Sequence, residues 1–374
     1  MKQYITITAC ISVLLLVGCI TDYEAKGIKE INEILVVDGI VTNGESLITL
    51  SRSAALTNYD PASFSFINNA EVYVECDDGT IIKAAAYEDE AYPQNGRYFI
   101  PTGTLQMDRK YRLKIEIEEN NSTNEYCSDY ASPIETPVID SIFWTKKARG
   151  EPVLIHIATH SSDTDAQYYR WTFQEDWEIK SDAYLEGYPY YCWNLNTSSS
   201  LLVGSAENNV YGRIIDIITE IHPANRKLEQ LYRISVNQNA ISKRAYDYFA
   251  NIKKNSDQTG SIFAPVPSEL RGNITCTTDP GRPVVGYIDI STTTQNQLFI
   301  TRSDPVSEFV LRECTEVEEE ELLSEFEMIP ENYLLYYSLA NQYGGLTDFY
   351  ILDRCVDCSL FGTTQGPDNW PTEH

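Results

Sequence analysis

Hydrophobic and polar residues alternate along much of this chain, and the alternation predicts strands. The clearest case is the segment 111–117, where every second residue is apolar and those between are charged. A period of two places alternate side chains on opposite faces of a strand. Six further short strands are predicted near residues 34–37, 47–50, 70–76, 80–86, 97–100 and 126–130. Turn sequences such as Asn43-Gly44 and Asn95-Gly96 separate them.

Seven strands at this spacing predict a β-sandwich over residues 33–134. A second β-rich region begins at Ile142, after Pro133 and Pro137, and its predicted strands continue to Thr301. Within it, apolar residues recur at helical spacing from Ile241 to Ile252. We therefore expect a mainly β protein with two prealbumin-like or immunoglobulin-like sandwiches in series, the second at 135–310 with an amphipathic helix at 240–254.

A long aromatic segment interrupts the second region between residues 177 and 209, and it predicts a loop. Long loops on rigid sandwiches often bind ligands. The candidate contact residues are Tyr184, Tyr188, Tyr190, Tyr191 and Trp193. The alternative is that these rings only cover one end of the sandwich. Beyond the second region, residues 311–374 combine a glutamate-rich segment with a tail. The tail, from Cys355 to Trp370, is rich in glycine and proline, and we expect no regular element in it.

The amino-terminal residues predict export and lipidation. Lys2 precedes a short apolar run that ends in Leu16-Val17-Gly18-Cys19, the pattern of a bacterial lipoprotein signal peptide at 1–18. The run is shorter than the roughly 20 residues that span a bilayer. We expect acyl chains on Cys19 to anchor the mature chain, with a polar tether at 19–32. The alternative is an ordinary cleaved signal followed by an incidental cysteine.

The formal net charge is −27, which disfavours nucleic acids and anionic membranes as partners. Apart from Cys10 in the signal and Cys19, the chain has seven cysteines. An exported compartment permits disulfides, and the odd number means that at least one thiol is free or pairs in another way. The candidates for disulfides are Cys76, Cys127, Cys192, Cys276, Cys314, Cys355 and Cys358. Cys76 and Cys127 are the first candidate pair because both belong to the predicted first domain.

Catalytic and metal-binding patterns are weak. His156 and His160 have zinc-ligand spacing only on a helix, and their surroundings predict a strand. Cys355-x-x-Cys358 is compatible with zinc or redox chemistry, but structural disulfides fit an exported chain better. The sequence shows no nucleophile elbow, phosphate-binding loop or dinucleotide fingerprint. We predict no catalytic residues, no metal and no cofactor.

Several segments together resemble the Bacteroidota outer-membrane lipoproteins grouped as domain-of-unknown-function family 4249. The most specific are 240–262 (AISKRAYDYFANIKKNSDQTGSI), 265–274 (PVPSELRGNI) and 284–291 (VVGYIDIS). The tail CVDCSLFGTTQGPDNW fits too, although Asn369 stands where the family usually has an aromatic residue. Such proteins are often encoded beside TonB-dependent transporters. The resemblance implies an outer-membrane, cell-surface location and a transporter partner, and it supplies no catalytic residues.

The sequence thus favours a non-enzymatic lipoprotein that assists a TonB-dependent transporter by capturing a nutrient or covering the channel. A structural or adhesive envelope protein is the first alternative, since serial sandwiches suit that role as well. A surface hydrolase is the second, because acidic residues are so abundant that a catalytic pair is always conceivable.

Overall fold

Strands dominate the computed structural model, and the mainly β prediction is confirmed. The structure describes residues 34–53, 65–86, 95–119, 122–161, 166–207, 209, 212–223, 225–258, 272–304 and 314–371. The predicted signal, Cys19 and tether lie outside these ranges. Within them, no helix combines the length and hydropathy needed to cross a bilayer.

The first strands of the chain are β1 (Leu35–Gly39), β2 (Val41–Thr42), β3 (Gly44–Arg52), β4 (Ser65–Phe66), β5 (Ala70–Cys76), β6 (Ile81–Lys83), β7 (Ala85–Ala86), β8 (Arg97–Gly103), β9 (Tyr111–Glu119) and β10 (Ser122–Ser128). After them come β11 (Ile139–Lys146), β12 (Val153–Thr159), β13 (Tyr168–Lys180), β14 (Tyr191–Thr197), β15 (Leu202–Ser205), β16 (Ile214–Ile221), a 3₁₀ helix (Arg226–Leu228), β17 (Tyr232–Ala240) and α1 (Lys243–Gln258).

The remaining elements are β18 (Ile274–Cys276), β19 (Val284–Gly286), β20 (Ile290–Ser291), β21 (Thr293–Ile300), β22 (Val317–Glu318), α2 (Glu319–Glu325), β23 (Tyr333–Ala340), β24 (Leu346–Leu352), α3 (Asp353–Val356) and a second 3₁₀ helix (Cys358–Leu360).

Two sheets build the first unit. One has the order β19-β1-β3-β8-β7 with β4 beside β3, and the other has the order β18-β10-β9-β5-β6. Both contribute to one hydrophobic cluster, to which Ile48 and Ile100 come from the first sheet and Val74 and Ile115 from the second. The alternating residues 111–117 behave as predicted, because their apolar members are buried in this cluster.

Residues 274–291 return to this first unit. Strand β18 pairs with β10, β19 runs parallel to β1, and β20 runs parallel to β2. The predicted boundaries, 33–134 and 135–310, differ from this pairing, because alternation identifies a strand without identifying its neighbour. Gly286 permits the close approach of β19 to β1, since a Cβ there would lie 2.4 Å from the Val37 carbonyl oxygen.

Two further sheets build the second unit, with orders β11-β12-β16 and β14-β13-β17-β21, and β15 pairs with β13. Ile155 from the first and Trp171 and Val236 from the second lie in one cluster. Helix α1 packs through Tyr248 and Phe249 against a satellite cluster. It begins three residues later than predicted and extends to Gln258. Its start is fixed by Ser242, whose hydroxyl accepts a hydrogen bond from the Ala245 amide at 3.2 Å.

The carboxyl-terminal region contains more regular structure than predicted. Strands β22, β24 and β23 form a small sheet, with α2 between β22 and β23 in the chain. Alternation is obscured here because β23 (YLLYYSLA) is almost continuously apolar and its pairing is shifted between Leu335 and Tyr337. Disulfides Cys192–Cys358 and Cys314–Cys355 tie the region down, so the two cysteines of the C-x-x-C motif belong to different bonds.

Cys76, Cys127 and Cys276 are buried free thiols, so the expected Cys76–Cys127 pair does not form. Cys76 lies in the hydrophobic cluster on the inner face of its sheet. Tyr126 also faces that cluster, and its neighbour Cys127 therefore points to the opposite face, with its Sγ 3.9 Å from a Glu125 carboxylate oxygen. Two thiols on opposite faces of one sheet cannot bond.

Candidate functional site

The outer surface of the sheet β14-β13-β17-β21 carries successive rows of polar side chains. Trp171 and Phe173 of β13 point into the core, so the even-numbered residues of this strand point outward. The strand registers align them with outward residues of β17 and β21. The rows are Arg170–Asn239–Thr293, Thr172–Asn237–Gln295, Gln174–Ser235–Gln297 and Asp176–Arg233–Phe299. We call this surface the polar face.

The first two rows form the floor of a groove of about 620 Å³, whose opposite wall is the first unit. That wall includes Asp38, Asn43 and Glu45. We call this the amide groove. Gly39 lies in the wall with φ +145°, and a Cβ there would come within 2.5 Å of the Leu47 carbonyl oxygen. Only glycine allows the chain to bend here between β1 and β2.

Part of the floor is fixed by internal hydrogen bonds. The Asn239 amide donates to the Thr293 hydroxyl at 2.6 Å, and that hydroxyl lies 2.6 Å from the hydroxyl of Thr42 in the first unit. The Thr293 backbone amide donates to the Asn43 side chain at 2.8 Å. These bonds join the two units beneath the groove, so the floor and the opposite wall are held at a fixed separation.

The second of the four rows offers its polar atoms to the groove. Thr172, Asn237 and Gln295 lie side by side across three strands, and their side chains make no hydrogen bond to the described residues. An amide provides both donors and an acceptor. This row can therefore bind an uncharged ligand with hydroxyl or amide groups, without first breaking contacts inside the protein.

Charged groups in the groove are mostly paired. Arg170 donates to the Asp38 carboxylate at 2.9 Å across the two units. The Arg170 guanidinium also lies 4.9 Å from the centre of the Phe249 ring on α1, which limits its movement. This pair links the first unit, the polar face and the helix.

The carboxyl-terminal tail crosses the polar face beyond the groove. Thr363 pairs with Trp193 on the edge strand β14, and Gly366 lies against the Trp193 ring. Further along, the Arg233 guanidinium lies 5.3 Å from the centre of the Trp370 ring, and it donates two bonds to Asp176, at 2.8 and 3.0 Å. A cleft of about 410 Å³ remains between the tail and the sheet. It is lined by Gln174 and Asp176 of β13, which follow Thr172 of the amide groove along the outward face of that strand.

The predicted ligand-contact aromatics fall into two groups. Residues 177–180, 191–197 and 202–205 are strand, so the predicted loop at 177–209 is reduced to connections at 181–190 and 198–201 and to the residues that follow Ser205. Tyr190 makes edge-to-face contacts with both Tyr184 and Tyr191, and Lys180 lies over its ring at 5.1 Å. A cleft of about 200 Å³ adjoins Tyr190 and Lys180.

Trp193 is in the other group, in the tail cleft, and its indole nitrogen is buried without a hydrogen-bond acceptor among the described residues. Tyr188 belongs to neither group, and its backbone amide donates to the Leu185 carbonyl oxygen at 3.2 Å. The structure therefore does not bring the five aromatics to one point. Tyr191 and Trp193 share the outward face of β14, because they are two residues apart.

Sequence patterns did not identify a buried carboxylate on the opposite, core side of this sheet. Glu175 is completely buried on the core side, where it accepts hydrogen bonds from Lys227 at 2.6 Å, Tyr232 at 2.8 Å and Asn196 at 2.8 Å. Burial, together with the Glu175 charge, raises the pKa of Tyr232 well above its ordinary value of 10.0. These partners lock the second unit together and do not open onto the groove.

The two weak zinc-like patterns do not bring their residues together among the described parts of the chain. The His156 ring stacks on Phe143 and bonds to the Thr145 hydroxyl, whereas His160 pairs with Asp140. Asp182 approaches the sulfurs of Cys314 and Cys355, but these two cysteines are joined as a disulfide and offer no thiolate ligands.

Sequence patterns did not identify the residues of the amide groove as a binding site. The available signal was the polar run Asn237-Gln238-Asn239, which directly follows a strand predicted at 231–236 and precedes the predicted helix. The pattern could not show that β13 and β21 place further polar residues beside it.

A family model, Domain of unknown function (DUF4249), matches residues 20–297. The chain belongs to the DUF4249 family. The match includes both walls of the amide groove and the strands that return to the first unit. It stops before the carboxyl-terminal hairpin and tail of this DUF4249 protein.

Comparison with other proteins adds little. No curated protein matches the DUF4249 chain. Among solved structures, a crystal structure of a DUF4785 family protein from Legionella pneumophila matches at 9% identity with a TM-score of 0.17. The match covers 54% of this chain, which spans about half (51%) of that protein's length. A likeness this weak carries no argument about fold or function.

Proposed function

We propose that this DUF4249 protein is a non-catalytic, lipid-anchored binding protein of the bacterial outer membrane, which captures a polar ligand in the amide groove for a TonB-dependent transporter. The observation that supports ligand capture is the row Thr172–Asn237–Gln295, which faces a 620 Å³ groove between the two units. We also propose that each pair of sheets is a sandwich, so that the groove lies between two rigid modules.

The chemistry of the groove favours a neutral ligand rich in hydroxyl or amide groups. Side-chain amides and hydroxyls supply the floor, and the one arginine is already paired with Asp38. Glu45 in the wall, which makes no ion pair with the described residues, disfavours anionic ligands by charge repulsion. Oligosaccharides and extended peptides both meet this description.

The dimensions of the polar face favour an extended ligand. From Arg170 to Asp176 the rows span six residue steps of β13, about 20 Å at the usual strand rise. The tail cleft lies at the far end of that span and presents Trp193. An aromatic ring beyond a hydrogen-bonding floor is a suitable end point for a sugar chain, because the ring can stack on the apolar face of a sugar.

A binding role is favoured over hydrolysis because two of the carboxylates along the polar face are held by arginine, whereas glycoside hydrolysis uses a pair of carboxyl groups. Asp38 bonds to Arg170, and Asp176 accepts two bonds from Arg233. A general acid or base needs a carboxyl group that exchanges a proton with the substrate. Carboxylates held by arginine are poorly suited to that task.

The location and partner rest on the sequence. The predicted lipoprotein signal at 1–18, followed by Cys19, supports membrane anchoring. The resemblance to lipoproteins encoded beside TonB-dependent transporters supports a transporter partner. Extraction of the native membrane with a mild detergent, followed by purification of this protein, should recover a large β-barrel transporter, and recovery of no barrel would remove the transporter from the proposal.

Ligand capture is tested by calorimetry on the detergent-solubilised full chain, with neutral oligosaccharides of glucose, mannose, xylose and galactose and with uncharged peptides as probes. We expect at least one neutral probe to bind. The double variant Asn237→Ala with Gln295→Ala should weaken its binding about tenfold or more, because each lost hydrogen bond contributes about 0.5–1.5 kcal/mol.

The matched control is Gln106→Ala, since Gln106 is an exposed amide in the first unit away from the groove. Its affinity should equal that of the wild type. Equal weakening by Gln106→Ala, or full affinity in the double variant, would contradict the groove as the binding site. Turnover of a probe that is lost in Glu45→Gln would instead identify a hydrolase.

A further inference from the structure

Two nitrogen atoms of the second unit converge on one buried oxygen atom. The Lys227 side-chain nitrogen and the Asn196 side-chain nitrogen both donate to Oε2 of Glu175, at 2.6 and 2.8 Å. The other Glu175 oxygen accepts from the Tyr232 hydroxyl at 2.8 Å. Uncharged lysine is a nucleophile, and a carboxylate in contact with it can act as a proton carrier. Here the same carboxylate oxygen also touches an amide nitrogen that can leave its carbon.

These side chains come from three separate elements, and the fold fixes their positions. Glu175 and Asn196 are directly opposite each other on β13 and β14, so their side chains leave the sheet on the same face. Lys227 belongs to the 3₁₀ helix that precedes β17. Leu228, the next residue of that helix, is buried in the core cluster of the second unit. Backbone pairing and core packing therefore hold the three groups next to one another.

The surroundings of the site favour uncharged groups. Glu175 is completely buried, and the Lys227 side chain is only 15% exposed. The Lys227 nitrogen lies 4.8 Å from the centre of the Trp177 ring. Separate charges are costly in such low-polarity surroundings. Transfer of one proton from the lysine ammonium to the glutamate neutralises both groups and produces the amine, which is the nucleophilic form of lysine.

We propose that Lys227 and Asn196 form an intramolecular isopeptide bond, an amide bond between their side chains, with Glu175 as the proton carrier. After Glu175 has taken one proton from the ammonium, the amine nitrogen bonds to Cγ of Asn196. The bond from that carbon to the amide nitrogen then breaks. Two protons of the lysine nitrogen pass by way of Glu175 to the departing nitrogen, which leaves as ammonium. Glu175 returns to the carboxylate, and no other reactant is needed.

The bond joins β14 covalently to the segment before β17, across the intervening strand β13. Strand β14 lies at one end of its sheet, and it carries both the Cys192–Cys358 disulfide and the Trp193–Thr363 pairing with the tail. Strands at a sheet end are prone to local opening, because they have neighbours on one side only. The crosslink thus secures the strand that holds the carboxyl-terminal tail.

The test is peptide mapping by mass spectrometry of the full chain, purified from native membranes in detergent and fully reduced. Trypsin cuts after lysine and arginine, so it releases residues 181–213 as one peptide, which contains Asn196. A crosslinked Lys227 resists cleavage and stays within a peptide of residues 227–233. We expect these two peptides as one joined species, lighter by one ammonia than their sum, with fragment ions that place the link at Lys227 and Asn196.

Two variants test the assigned roles. Lys227→Arg keeps a cation beside Glu175 but removes the amine, and Glu175→Gln keeps the shape of the side chain but removes the proton carrier. We expect both variants to lose the joined species, and circular dichroism verifies that each is folded. The matched control is Asn194→Ala, because Asn194 lies on the same strand but donates to the Phe361 carbonyl oxygen at 2.7 Å. It should retain the joined species.

Separate peptides from the wild-type chain, with no ammonia lost, would overturn the proposal. A joined species that persists in Lys227→Arg would do the same, and one that persists in Glu175→Gln would remove glutamate from the mechanism. The crosslink is independent of the proposed ligand capture, since Glu175 lies on the core side of the sheet and the mapping uses no ligand.

Discussion

Asp289 illustrates how a single buried group couples two elements of this protein. It is nearly completely buried, and its carboxylate accepts hydrogen bonds from the Ser242 amide at 2.7 Å and the Ser242 hydroxyl at 3.2 Å. Ser242 precedes helix α1, whereas Asp289 precedes β20 of the first unit. Burial raises the pKa of Asp289 above its ordinary value of 3.8, and the Ser242 hydrogen bonds and nearby Arg244 offset this only in part.

This shift predicts a pH dependence of stability. Because the pKa of Asp289 is higher in the folded state, the folded protein binds more protons than the unfolded chain between 3.8 and the raised pKa. The contribution of Asp289 to stability is therefore largest below 3.8 and is lost as the pH rises through the raised pKa. Unfolding free energies of wild type and Asp289→Asn, measured in urea from acidic to neutral pH, should show a difference that moves in favour of the variant with rising pH.

The companion variant is Ser242→Ala. It removes a hydrogen bond that lowers the pKa of Asp289, and so it should make stability fall more steeply with rising pH than in the wild type. If wild type and Asp289→Asn follow parallel curves, this account of Asp289 is wrong.

Among the elements, the tail depends most on covalent attachment. It has little regular structure, and its contacts with the polar face include the Trp193–Thr363 pairing, the Arg233–Trp370 contact and a hydrogen bond from Asn194 to the Phe361 carbonyl oxygen. Disulfide Cys192–Cys358 joins residues 166 apart in sequence, whereas Cys314–Cys355 joins residues 41 apart. A crosslink restricts the unfolded chain more when its loop is longer.

The two disulfides should therefore stabilise the protein unequally. We expect replacement of Cys192 and Cys358 by serine to lower the free energy of unfolding by about 1 kcal/mol more than replacement of Cys314 and Cys355, from the logarithmic dependence on loop length. Denaturant unfolding of the two double variants measures this difference. A larger loss on removing Cys314–Cys355 would show that local packing under the hairpin, and not chain entropy, determines the effect.

At the scale of the whole molecule, each of the two units is built from stretches that are separated in sequence. The first unit needs β18, β19 and β20, which follow the second unit's helix in sequence. The second unit resumes with β21 immediately after β20, and the Asn43–Thr293 bond lies at that crossing. The chain therefore passes between the two units three times, after β10, before β18 and after β20, and the amide groove lies between the units.

This topology predicts that residues 33–134 do not fold alone. Without residues 272–292 the open edges of β1 and β10 are exposed, and two sheets of the first unit lose a strand. We expect the fragment 33–134 to aggregate or to give broad, poorly dispersed NMR spectra. The same fragment joined by a flexible linker to residues 272–292 should be soluble and unfold cooperatively. Cooperative unfolding of 33–134 by itself would contradict the pairing.

The sequence by itself determined the mainly β character, the positions of most strands and the amphipathic helix, because these follow from local periodicity. Tertiary structure alone decided that residues 274–291 complete the first unit. It also decided that Cys192 and Cys314 form disulfides with the two cysteines of the C-x-x-C motif. Finally, it decided that Thr172, Asn237 and Gln295 form one row. Each depends on pairing between residues far apart in the chain. Local alternation fixes which face of a strand a side chain occupies, but the neighbouring strand is chosen by burial and hydrogen bonding across the whole fold.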